Sequence, residues 1–434
     1  MNSTKAIASM EIPDLDLTKV ELSRKGFVTN YPPYKHWRKT VVSEMLTEKP
    51  INIYFHSPYC IQRCAYCFYK TVTLRESQLA EIDRYIDAVC QEIAISANRF
   101  HLKERPVDSI YFGGGTPTLL NKRNMSRIIE CLHKNLNIGK PEFTVEAEPV
   151  TFTQKKADML KEFGVNRINL GIQSFKDEIV ELTGRKDTED QTLNAIEMAK
   201  NTGAVVNIDL ISGLEGETQE KWAYSINRAI SVDVPSITVY KMELYPNTDY
   251  YAGVRENTLQ LPSDTEEIGF MQYAIEKFEA ANYLPWNWYT FTKMGQYEHV
   301  YPKSQWRGND CIPFGVSGYG RLGEFLFQNT NDLEKYAATL EAGDLPINRS
   351  YRLNSRDQMI RDVLLGIKLL HLPLNDFQRK YGFKLTTFCA PTLKQLQEED
   401  FLSFSDDEVS LTSKGILYGD YVGKRLAQSL REIA

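Results

Sequence analysis

The chain has 434 residues, 42% hydrophobic and 25% charged, with a formal net charge of −6. That length calls for a large domain plus an appendage, and the acidic balance lacks the basic footprint of a nucleic-acid binder. The longest apolar runs, such as 208–214, contain Asp209 and are too short to span a bilayer, and residues 1–11 lack the apolar stretch of a secretory leader. A cytoplasmic monomer without nucleic-acid or membrane partners is expected.

Residues 1–49 mix charges with Tyr31, Tyr34, His36 and Trp37 without helix or strand period, and are read as an extended lead-in packed over the main domain. From Ile51 a pattern repeats: a short β-branched run, a polar or Gly-rich tip, then an amphipathic stretch. The runs 51–56, 107–112, 142–146, 167–172, 205–211 and 236–242 read as strands. Between them, 77–98, 124–136, 154–163, 188–201 and 219–229 read as helices. In the first, Leu79, Ile82, Tyr85, Ile86, Val89 and Ile93 keep a three-to-four-residue rhythm. Such alternation predicts right-handed βαβ units and a parallel sheet. Six units over 50–332 fit an incomplete barrel, with an open doubly wound sheet as the other solution. Either way, chemistry gathers at the C-terminal ends of the strands.

From residue 333 to 434 the rhythm turns helical, with helices at 357–370, 374–381, 393–398 and 413–426. A two-stranded wing at 401–412 turns at Asp406-Asp407. This is a winged-helix-like domain, and its acidic turn suits an interaction or lid role better than DNA reading.

Seven cysteines are present, and three of them, Cys60, Cys64 and Cys67, fall within eight residues between the first strand and the first long helix. Cys90, Cys131, Cys311 and Cys389 lie among apolar neighbours and read as small core residues. Three soft thiolates from one loop can hold three irons of a cubane and leave the fourth open. An open iron can chelate the amino and carboxylate groups of S-adenosylmethionine (SAM) and pass an electron to its sulfonium, releasing a 5′-deoxyadenosyl radical. The competing reading is a zinc site, which wants a fourth ligand; the nearest, His56, lies before the triad at an unusual spacing.

The other strand tips are polar. Gly113-Gly114-Gly115-Thr116-Pro117 follows the second strand, where glycines let backbone N–H groups face a ligand. Glu146 and Glu148 close the third strand and Gln173 the fourth. Asn207 and Asp209 alternate along the fifth, and Lys241 and Glu243 end the sixth. Each alone reads as a satisfied internal polar group, and Arg185 alone as a surface charge. In succession they describe a polar cup around a charged cofactor.

This set, in this order, resembles the radical SAM superfamily, and more narrowly its oxygen-independent coproporphyrinogen III oxidase-like subfamily. The resemblance runs from residue 51 to the C-terminus. It includes Ile168-Asn-Leu-Gly-Ile-Gln173, Asn207-Ile-Asp209-Leu-Ile-Ser-Gly-Leu and Leu411-Thr-Ser-Lys-Gly415. It implies an α/β fold, a partial (β/α)6 barrel with a C-terminal helical domain. It also implies a [4Fe–4S] cluster on Cys60, Cys64 and Cys67, SAM on that cluster and a second SAM beside it. Tyr54, Gly114, Glu146 and Tyr319 would contact the first SAM. Tyr66, Gly115, Thr116, Gln173, Arg185, Asp209 and Glu243 would contact the second. An electron donor such as flavodoxin or ferredoxin and a small-molecule substrate complete the implied set.

Two departures bear on function. The oxidases carry a further cysteine two residues after the triad, where this chain has Tyr69. The related haem chaperones carry His-Asn-x-x-Tyr-Trp, where this chain has Tyr301-Pro-Lys-Ser-Gln-Trp306, with His299 out of register. The leading expectation is therefore a two-SAM enzyme that C-methylates or cyclopropanates an unsaturated small molecule. A porphyrinogen decarboxylase or haem-degrading enzyme is the alternative, and a haem chaperone the non-enzymatic one. Trp286, Trp288, Tyr289, Tyr301 and Trp306 read either as an aromatic pocket or as packing residues.

Overall fold

The strands of the first half are buried along almost their whole length; Ile51, Ile53, Phe55, Val145, Ile168, Leu170, Ile208 and Leu210 are all within 1% of full burial. Such continuous apolar runs belong to a parallel sheet covered on both faces. The computed structural model describes residues 17, 19–24, 26–38, 41–43, 48–74 and 79–431. In it β1 (Ile51–Ser57), β2 (Val107–Gly114), β3 (Glu142–Ala147), β4 (Arg167–Gln173), β5 (Val205–Ser212) and β6 (Ser236–Lys241) pair in parallel, in chain order.

The intervening helices include Leu79–Arg99, Lys122–Asn135, Gln154–Glu162, Glu189–Lys200 and Gln219–Ser231. Their starts follow from local chemistry: the side chains of Asn121, Thr188 and Thr218 each accept a backbone N–H of the first turn. The anticipated residues 77 and 78 of the first helix lie outside the described residues.

The sheet is larger than six strands. Before β1 it adds β9 (Asp310–Phe314), parallel to β1, then β10 (Tyr319–Leu322), β11 (Phe325–Asn329) and β12 (Ile347–Arg352), all antiparallel. Beyond β6 lie β8 (Thr290–Lys293) and β7 (Tyr283–Asn287), also antiparallel. The order is β12-β11-β10-β9-β1-β2-β3-β4-β5-β6-β8-β7, twelve strands that do not close on themselves, with Arg38 of the lead-in bridged to Ser350 at the β12 edge. The structure is thus an α/β partial barrel. The sequence reading assigned no elements to residues 243–332, which hold the helices Asp249–Arg255, Asp264–Ala280 and Val300–Trp306 besides these strands; the strands, of four or five residues, leave too little periodicity. The sheet also continues past residue 332, through β12.

The C-terminal part packs helices Ser355–Gly366, Leu374–Tyr381, Leu385–Glu398, Ser413–Leu417 and Gly419–Arg431 around a second apolar core that includes Ile360, Leu364, Leu393 and Leu426. Its sheet has three strands rather than the anticipated two. β14 (Leu402–Phe404) and β15 (Glu408–Leu411) flank the Asp406-Asp407 turn, and β13 (His371–Pro373) adds to the free side of β15. The helix expected over 413–426 breaks at Tyr418 into two. Among the described residues, no helix is long and apolar enough to cross a membrane.

Candidate active site

The triad loop leaves the C-terminal end of β1 and is tied down on both flanks. Tyr59–Cys60 forms a short parallel ladder with Val72–Thr73. The N–H of Ala65 donates to the Thr183 carbonyl, that of Tyr250 to the Ala65 carbonyl, and that of Cys67 to the Cys64 carbonyl. The Gly-rich tip of β2 presses against the loop: Gly115 N–H donates to Ser57 O (2.6 Å) and Thr116 N–H to Tyr59 O (2.7 Å). A Cβ on Gly115 would lie 2.6 Å from Tyr59 O and 2.9 Å from the Cys60 Sγ, so only glycine allows this approach. Gly114 has φ +107°, and a Cβ there would strike the His56 ring.

All three thiols line one cavity of about 320 Å³ at the C-terminal mouth of the barrel. Burial pushes Cys60 up to about 12 and Cys67 up to about 11, and raises Cys64. The thiols are not drawn around a single-ion position, nor, among the described residues, is any other group of three His, Cys, Asp or Glu. A cubane, unlike one zinc ion, is held from its corners, with a separate metal atom behind each thiolate.

The cavity floor is made by the strand tips. Glu146 accepts from Tyr111 Oη (2.5 Å) and from Gly114 N–H (3.0 Å), and burial lifts its carboxyl to about 7. Asp209, also lifted to about 7 by burial and then by Glu146, accepts from Asn207 Nδ2 at 2.8 Å. Gln173 ends β4 at a bulge with φ +65°, a strained conformation for a non-glycine residue. Arg185 is not a surface charge: it is 4% exposed, donates to Asp187 and to Gly171 O (both 2.8 Å), and faces Cys64, Tyr66 and Glu148.

Of the sequence-derived residues, Cys60, Cys64, Cys67, Tyr66, Gly114, Gly115, Glu146, Gln173, Arg185, Asp209 and Glu243 all line this cavity. Glu243 is also engaged by the lead-in, accepting from Gly26 N–H (3.4 Å) and facing Lys241 (3.7 Å). Three residues do not line it. Thr116 is fully buried behind Cys60 and Glu148. Tyr54 lies deeper, its Oη 3.1 Å from His56 Nδ1 and its ring against Tyr111 and Tyr301. Tyr319 lies outside the lining: its hydroxyl donates to Asn30 (2.6 Å) and its ring packs on Trp37 of the lead-in.

The aromatic residues split between the two readings. Trp288 and Tyr289 line the cavity, whereas Tyr301 stacks on Tyr111 inside the barrel and Trp286 packs near Trp306. His299 sits at the opposite end of the barrel, 3.3 Å from Glu142. The sequence reading missed Gln62, Asn169, Tyr240, Tyr245, Phe27 and Asp420 as cavity residues. Alternation with Gly171 and Gln173 along β4 was a usable signal for Asn169. Phe27 and Asp420 reach the cavity only through tertiary packing.

The residues present fit a polar, charged cofactor. Gln62 Nε2, Glu148 Oε2 and Asn169 Oδ1 are buried in the cavity lining without a protein partner, and the three thiols share that lining. Comparison with known proteins agrees. The family model for the radical SAM superfamily matches residues 54–229, and that for the HemN C-terminal domain matches residues 353–418. The chain is 28% identical over 376 residues to the heme chaperone HemW of Bacillus subtilis (strain 168), spanning 86% of this chain and 97% of that one. It is 27% identical over 388 residues to the oxygen-independent coproporphyrinogen III oxidase of Salmonella typhimurium, spanning 85% and 84%. It is 24% identical over 400 residues to the anaerobilin synthase of Escherichia coli O157:H7, spanning 92% and 87%. The structure of coproporphyrinogen III oxidase (HemN) from Escherichia coli matches the fold with a TM-score of 0.77 at 24% identity, over 89% of this chain and 91% of that one. These relatives give no support to methyl transfer or cyclopropanation. The chain therefore carries a radical SAM domain and a HemN-like C-terminal domain, and its cofactors are a [4Fe–4S] cluster and SAM.

Proposed function

We propose that this enzyme binds two SAM molecules and modifies a tetrapyrrole macrocycle by radical chemistry. The observation that carries the reading is a single cavity whose lining brings acidic and aromatic side chains together. Glu146, Glu148 and Asp209 form a floor suited to cationic SAM. Phe68, Tyr69, Tyr240, Tyr245, Trp288 and Tyr289 offer flat apolar faces to a conjugated ring. The named relatives act in the chemistry of heme, coproporphyrinogen and anaerobilin, all tetrapyrroles. Tyr69 and the Tyr301–Trp306 stretch set this chain apart from the oxidases and chaperones, which favours modification of the ring itself.

In this reading Cys60, Cys64 and Cys67 hold the cluster within the partial barrel, capped by the helices that follow residue 352. When bound, the cluster supplies the electron that opens SAM, received from a donor such as flavodoxin or ferredoxin. Glu146, fixed by Tyr111 and Gly114, orients the first SAM, with Tyr54 supporting the wall behind it. Arg185, held by Asp187, fixes the second together with Tyr66, Gln173 and Asp209, while Gly115 and Thr116 brace the loop. Glu243 closes the edge of this station with the lead-in. Such preset groups supply orientation and exclude water.

The test is anaerobic incubation of the reconstituted enzyme with SAM, reduced flavodoxin and either haem or coproporphyrinogen III. Loss of the haem Soret band with formation of 5′-deoxyadenosine supports ring modification. A divinyl product from coproporphyrinogen III supports decarboxylation instead, and a stable Soret shift without turnover supports a chaperone. No change with either macrocycle overturns the tetrapyrrole reading. Changing Cys64 to Ala abolishes both the cluster absorbance and reductive SAM cleavage, and survival of the cleavage would sink the cluster assignment.

A further inference from the structure

Lys368 is a fully buried lysine, outside the triad and the strand tips, at the junction of three parts of the chain. Its ammonium donates to Asp420 at 2.7 Å. It also lies 4.4 Å from the centroid of the Phe27 ring and 4.3 Å from that of Trp288. Those two rings stack on each other, 5.3 Å apart and 16° from parallel. The Lys368 carbonyl accepts the Trp288 N–H (3.2 Å), and the second oxygen of Asp420 accepts the Val28 N–H (3.1 Å). One side chain thus touches the lead-in, the barrel and the C-terminal unit together.

The residues it gathers are cavity residues: Phe27, Trp288 and Asp420 all line the cavity that holds the triad. The lead-in around them has little regular structure, and polar contacts with other elements fix it in place. Arg24 pairs with Glu267 (2.9 Å) and donates to Leu417 O (2.8 Å). Lys241 donates to Arg24 O (3.0 Å) and Lys424 to Gly26 O (3.1 Å). These anchors hold residues 24 and 26. Beyond them, the Phe27 ring and the Val28 amide are held by the Lys368–Asp420 pair. The lysine is costly to bury and is compensated by one carboxylate and two aromatic faces, which makes the junction sensitive to the charge itself.

We propose that Lys368 is a positioning residue that latches the lead-in over the active-site cavity, so that Phe27 becomes part of its wall. The latch acts through Phe27 and Asp420 and does not depend on which substrate the enzyme takes. Removing the charge frees the Phe27–Thr29 stretch while the barrel beneath it stays intact. The cavity then loses one wall, and SAM is held less tightly without loss of the groups that bind it.

Hydrogen exchange on the full-length, cluster-loaded enzyme tests this in Lys368→Met, Lys368→Arg and the double variant Lys368→Met/Asp420→Asn. The double variant removes both charges and leaves no orphaned ion should the single variant fail to fold. The latch predicts that exchange of the Val28 amide rises about tenfold or more in the Met variants, while Ile208 and Leu210 in β5 keep their protection. It also predicts that half-saturating SAM in the dithionite-driven cleavage rises by about threefold or more, and that Arg restores part of both effects. Unchanged Val28 exchange in the Met variants overturns the proposal. So does a rise at Ile208 and Leu210 in step with Val28, which would mark Lys368 as a general stability residue.

Discussion

Two carboxyls on the cavity floor, Glu146 and Asp209, are lifted by burial to about 7, above the range of an exposed acid. On unfolding each returns to its ordinary value, so between about pH 4 and about pH 7 the unfolded chain binds fewer protons. The ligand-free enzyme therefore loses stability from these groups as pH rises through that window. Binding of a cation runs the other way, because only the ionised carboxylates attract the sulfonium of SAM. SAM affinity is expected to rise several-fold between about pH 6 and about pH 8, and Asp209→Asn to flatten part of that rise. Equilibrium dialysis at a series of pH values reads it; an unaltered slope in the variant would remove Asp209 from the SAM site. The types and order of these acids were legible in the sequence, since alternation along β5 puts Asn207 and Asp209 on one side. Their perturbation was not, because it depends on a burial that only the tertiary packing around the cavity produces.

The loop after β1 and the tip of β2 act as one element. Gly115→Ala would place a methyl group against two carbonyl oxygens and the Cys60 sulfur, none of which can retreat without breaking the Ser57 and Tyr59 hydrogen bonds. A destabilisation of about 1–3 kcal/mol is expected, with much poorer cluster retention. Thermal unfolding and the iron content of the reconstituted protein measure the two parts; full iron loading would refute the proposed bracing of the loop. The same tip shows why Thr116 and Tyr54 do not line the cavity. They follow the motif in sequence, but the strand pleat and the tight packing of the loop turn them into its backing.

At the scale of the whole molecule the C-terminal unit forms part of the active-site wall through Leu417, Tyr418, Gly419 and Asp420. Its seating depends on Gly415, where a Cβ would fall 1.9 Å from the Phe401 carbonyl oxygen. Gly415→Ala is expected to cost about 3 kcal/mol and to loosen that wall, seen as a lower thermal midpoint and faster bleaching of the cluster in air. An unchanged midpoint would show that the wing yields without cost. The sequence by itself determined the cofactor chemistry and the parallel half of the fold. Both are written locally, in a seven-residue spacing of soft ligands and in strands whose near-complete burial shows as β-branched, mostly apolar runs. Tertiary structure alone decided the extension of the sheet over residues 283–352, with β9 parallel to β1 and the other strands antiparallel, and the third strand of the wing. It also decided that Tyr319 serves the lead-in and that Phe27, Lys368 and Asp420 meet over the cavity. The lead-in contacts among them, such as Tyr319 with Asn30 and Lys368 with Phe27, join residues far apart in the chain, and no local pattern encodes them.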